Sequence, residues 1–102
     1  MEFFFKKPDL GVIIADLTAA IKTKTLPVSV KLKLVDLALV VEISKWGTST
    51  LKFNAYPGVQ DGTNGYNLIL ASEDIASLHK SKIAEVKAQF VGIVKSAGGV
   101  VC

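Results

Sequence analysis

The sequence predicts an α+β domain in which two helices cover one face of an antiparallel sheet. Apolar residues recur at helical spacing over residues 9–24 and again over residues 73–97. Between them, apolar and polar residues alternate as they do in half-buried strands. Turn residues separate the alternating segments. The order helix, three strands, helix defines the class.

The first helix spans residues 9–24. Asp9 caps it directly after Pro8, and Leu10, Ile13, Ile14, Leu17 and Ile21 form one apolar stripe. Pro27 closes the segment, because the residue before a proline avoids helical angles. Residues 28–44 read as strand with a change of phase. Val28, Val30, Leu32 and Leu34 alternate first, then Leu37, Leu39, Val41 and Ile43 take the opposite parity. One straight strand cannot keep both sets on one face. The expectation is a single long strand bent or bulged near Val35-Asp36, since no Gly, Asn or Pro is there for a hairpin. Two strands joined by a tight turn are the alternative.

Lys45-Trp46-Gly47-Thr48-Ser49 is the next turn, and residues 50–56 are a strand with Leu51, Phe53 and Ala55 on one phase. Residues 57–65 form the expected loop, rich in Pro-Gly, Asp-Gly and Asn-Gly pairs. Residues 66–71 complete a three-stranded meander. Ser72 is then expected to cap the second helix, with Glu73 and Asp74 in its acidic first turn. Ile75, Ala76, His79, Ile83, Val86, Phe90, Ile93, Val94 and Ala97 fall on its stripe, and Gly98-Gly99 ends it. Residues 1–8 make an aromatic arm and residues 98–102 a short tail, so the whole chain, 1–102, is one domain.

Composition narrows the functions. The chain has 102 residues, 50% of them hydrophobic, a net charge of +3 and a mean hydropathy of +0.43. That apolar fraction excludes a disordered chain and leaves a surplus for a partner. All 12 basic residues are Lys. Without the bidentate fork of Arg, and with the acidic residues scattered among the lysines, a nucleic-acid partner is not expected. Cys102 is the only cysteine, which rules out an intrachain disulfide and a four-cysteine zinc site. The start lacks the order of charges of a signal peptide. The longest apolar run, Leu37 to Val41, is far below the roughly 20 residues of a membrane span. A cytoplasmic protein is the expectation.

No motif announces catalysis. His79 is the only histidine, and on its stripe it reads as a half-buried boundary residue, with no nucleophile at a telling spacing. Asp61-Gly62-Thr63-Asn64-Gly65 lacks the further carboxylates of a calcium loop and is explained by turn chemistry. No glycine cluster opens a helix in phosphate-binding order. Neither a cofactor nor a metal is expected. The apolar surplus that one small core does not use lies in Phe3, Phe4, Phe5, Trp46, Leu78, Val91, Val100 and Val101. Three consecutive aromatics cannot all face one core. They could fill a partner's groove, add a strand to a neighbouring sheet, touch a membrane, or fold back on their own domain.

The segment VSVKLKLVDLALVVEIS, the strand TLKFNAY, the glycine-rich loop and the strand YNLIL, led by a helix over residues 10–24, resemble the type 2 trypsin-co-occurring domain family of small bacterial proteins. The resemblance implies a non-catalytic accessory or adaptor domain in bacterial conflict systems. The long second helix, the GGVVC tail and Val35-Asp36 in place of a Gly-Pro-like break depart from that pattern, and no residue role carries over. The expected function is therefore a non-enzymatic protein-interaction or oligomerisation module. Its expected partner is a protein, a second copy of the chain foremost. A membrane-surface or hydrophobic-ligand binder is the alternative.

Overall fold

The computed structural model describes residues 1–102. Along the chain come β1 (Glu2–Phe5), α1 (Leu10–Thr23), β2 (Ser29–Val35), β3 (Ala38–Ser44), β4 (Thr48–Gln60), β5 (Thr63–Asp74), a 3₁₀ helix (Ser77–Lys82), α2 (Ile83–Ser96) and β6 (Val100–Val101). All strands join one six-stranded sheet in the order β2-β3-β4-β5-β1-β6, and every neighbouring pair is antiparallel. The α+β class with an antiparallel sheet is as predicted. The three-stranded meander understated the sheet, because three of its strands come from segments read otherwise.

The aromatic arm is one of them. β1 lies between β5 and β6, pairing Glu2–Phe5 with Ile69–Tyr66 on one side and Phe3 and Phe4 with Val101 and Val100 on the other. Strand alternation resolves the three aromatics. Phe3 and Phe5 join the core beneath the helices, whereas Phe4 turns to the opposite face, outside that core. Phe4 rests over the β4–β5 hairpin at Gly65, where a Cβ would run into the Phe5 carbonyl and stand 2.8 Å from the Phe4 ring. All three rings are at most 1% exposed, so Phe3, Phe4 and Phe5 are consumed by their own sheet and offer a neighbouring chain nothing.

The phase change in residues 28–44 is a hairpin, not a bend. Val35 pairs with Ala38, and Asp36 at the turn has φ +54. Aspartate tolerates this left-handed conformation, so the turn forms without glycine. The register then sets Val30 opposite Ile43, Leu32 opposite Val41 and Leu34 opposite Leu39. Both apolar phases thus reach the same face.

Residues 57–65 are hairpin as well. β4 and β5 pair from Pro57↔Tyr66 out to Gln60↔Thr63, and only Asp61-Gly62 turns, at φ +51 and +76. Two positive φ angles match the twist that paired strands need. Pro57 is admitted because β3 ends at Ala38↔Asn54, and β4 is an edge beyond it.

The second helix starts later than expected. β5 runs on to Asp74, with a bulge that leaves Ala71 between the pairs Phe53↔Leu70 and Lys52↔Ser72. Glu73 and Asp74 pair with Leu51 and Thr50, so Ser72 caps no helix. Ladder bonds to a strand twenty residues back overrode the local capping signal. Glu73 instead holds Lys87 of α2 at 2.8 Å. The end of α2 is as predicted. Gly98, at φ +88, donates its N–H to Lys95 O, and Gly99 donates to Val94 O, the two bonds of a Schellman stop. Asp9 caps α1 through the Gly11 N–H at 2.7 Å, also as predicted.

The helices pack on one sheet face. Leu10, Ile13, Leu17 and Ala20 of α1 meet Val86, Phe90, Ile93 and Val94 of α2 over the inward strand residues. Phe3, Phe53 and Phe90 form the centre, with ring centroids 5.3–5.7 Å apart.

Candidate interaction surface

One end of the sheet carries an unusual turn. Ser44 pairs with Thr48, and Lys45-Trp46-Gly47 joins β3 to β4. Trp46 has φ +60 and its side chain is 81% exposed. For a bulky aromatic this is an outlier that local sequence preference does not explain. Gly47, at φ +150, approaches the 3₁₀ region so closely that a Cβ would lie 3.2 Å from Ala76 Cβ.

The turn is fixed from below by a buried polar chain. The inward phase of β4 is Ser49, Leu51, Phe53 and Ala55, so a hydroxyl occupies a place where a core side chain would stand. Ser49 Oγ accepts the Ala76 N–H at 2.9 Å and lies 2.5 Å from His79 Nδ1. His79 Nε2 lies 2.6 Å from Lys45 O. A carbonyl can only accept, so Nε2 carries a proton; in the neutral ring Nδ1 is then the acceptor and the Ser49 hydroxyl donates to it. Every group is satisfied, and no buried side-chain polar atom is left without a partner. The chain ties three pieces together: the β3–β4 turn, the start of β4 and the 3₁₀ helix.

The pair has the composition of a nucleophile and its base, but not the access. Ser49 is fully buried, its oxygen is engaged by a backbone amide, and both imidazole nitrogens are taken. A nucleophile must reach a substrate atom. The arrangement is a staple. His79, read as half-buried from sequence, is 6% exposed. Nor do three or more His, Cys, Asp or Glu side chains gather anywhere in the chain.

His79 of the staple also lines an open cleft of about 220 Å³, together with Lys45 and Trp46 of the β3–β4 turn, Leu78 and Lys82 of the 3₁₀ helix, and Glu85 and Gln89 of α2. Leu78 is 67% exposed. The structure therefore brings together two of the residues singled out from sequence, Trp46 and Leu78. Val91 packs half-buried against the core. Val100 and Val101 are half-exposed on β6, the outermost strand at one side of the sheet, and line no part of this cleft. Ser49 was missed. Its only signal was a polar residue on the inward parity of an apolar strand.

No helix is long and apolar enough to cross a membrane. Comparison with protein-family models, curated proteins and solved structures finds no match to this chain.

Proposed function

We propose that the protein is a non-catalytic interaction module that docks a protein partner at the Trp46–Leu78 end of the sheet. The observation that carries this reading is the exposed Trp46 indole, held in a left-handed turn that the buried Ser49–His79 staple fixes in place. Strained backbone that serves no packing purpose marks functional sites. Tryptophan is enriched among the residues that dominate binding energy, and a rigid presentation lowers the ordering cost of association. An enclosed site for an apolar ligand gains no support, since Phe3, Phe53 and Phe90 fill the space between helices and sheet.

The test is quantitative capture from a lysate of the source cells, with wild type and the double variant Trp46→Ser, Leu78→Ser as paired baits. The reading expects at least one partner, a second copy of the chain included, that the double variant loses. Identical capture by both baits overturns it.

A further inference from the structure

We infer that the partner segment seated in this cleft is an acidic peptide carrying one apolar anchor, an inference that rests on the docking reading above. The cleft supplies both halves of that recognition. Trp46 and Leu78 flank it with exposed apolar surface, and its volume suits a single large side chain. Lys45 and Lys82 stand on its walls against one carboxylate, Glu85, and Lys80 adds a cation on the same 3₁₀ helix. None of these lysines has a carboxylate within 4.0 Å; the chain's ion pairs use Lys6, Lys7 and Lys87. Their charges are therefore free to meet a partner's, and complementary charge sets the choice of partner and its rate of arrival.

The same charges argue against other occupants. A second copy brings the same lysine excess to the contact, and like charges brought together there are unfavourable. A peptide main chain, in contrast, offers N–H groups that the Glu85 carboxylate and the Gln89 side-chain carbonyl can accept. The concave shape favours an inserted side chain over a flat sheet of headgroups.

Three pools of heptapeptides test this, each with a central Leu or Phe and with flanks drawn from Asp/Glu, Ser/Asn or Lys/Arg. Trp46 is the only tryptophan, so its emission reports occupancy. The acidic pool should bind at least about tenfold more tightly than the neutral pool, a difference of about 1.4 kcal/mol. Its binding should weaken as salt rises from 0.05 to 0.5 M. The double variant Lys45→Glu, Lys82→Glu, checked for native circular dichroism, should reverse the preference toward the basic pool. Equal binding of all pools, or none, overturns the acidic-peptide inference. If partner capture still depends on Trp46 and Leu78 in that case, the docking surface stands and only the partner's chemistry is wrong. Sedimentation with vesicles of phosphatidylcholine and phosphatidylserine is the remaining arm. Binding there that exceeds the acidic pool's and is lost in the Trp46→Ser, Leu78→Ser variant overturns the peptide in favour of lipid.

Discussion

Trp46 holds a left-handed backbone conformation while leaving its indole in water. That conformation costs an ordinary residue about 1–2 kcal/mol. Glycine adopts it freely but loses more chain entropy on folding, which offsets part of the gain. Trp46→Gly is therefore expected to raise stability by about 0.5–1 kcal/mol in urea unfolding followed by circular dichroism, while abolishing partner capture. A loss of stability would mean that the indole packs on the fold. Ser49 is the counterpart. Ser49→Ala leaves the Ala76 N–H and His79 Nδ1 unpaired under the 3₁₀ helix. Its expected cost is about 2–3 kcal/mol in the same assay. A cost below about 0.5 kcal/mol, the range of an ordinary surface change, would show that water replaces the hydroxyl and that the staple holds nothing.

At the scale of elements, what could be read from the sequence divides by distance along the chain. Both helices carried a 3.6-residue stripe and local stop signals, and Asp9, Gly98 and Gly99 act as expected. The strands of β4 and β5 showed their inward phases. What escaped were pairings between distant segments. β1 is a strand because β5 and the last residues flank it, and neither neighbour is visible from Phe3-Phe4-Phe5 alone. Asp36 turned a chain without Gly or Asn, so the parity change was read as a bend. Leu78, read from the sequence as surplus to the core, is exposed, but its meeting with Trp46 depended on the 3₁₀ helix, which replaces the expected first turns of α2. β6 gives a prediction at this scale. Deleting residues 98–102 strips two residue pairs from β1 and the bond from Cys102 N–H to Glu2 O. It should cost about 1–3 kcal/mol and leave an open sheet edge that promotes self-association, measured by light scattering over a concentration series. A shortened chain that stays monomeric at millimolar concentration would contradict this.

The whole molecule is a small fold with a single core and one decorated end. Its stability is concentrated in the helix-facing side of the sheet, where Phe3, Phe53 and Phe90 meet. Phe3→Ala should cost about 3–5 kcal/mol, a large share of the roughly 5–15 kcal/mol available to a domain of this size. Lys45, Trp46, Leu78 and Lys82 are exposed and stand outside that core, so binding variants at these four positions should leave the thermal midpoint within a few degrees of wild type. This separation of core from contact surface makes a direct measurement possible. Trp46 emission, recorded while a captured partner or the acidic heptapeptide pool is added, tests the central claim. The emission should shift to shorter wavelength, saturate, and show no shift with Leu78→Ser. Binding confirmed by an independent signal, with the Trp46 emission unmoved, would place the contact elsewhere on the molecule and contradict it.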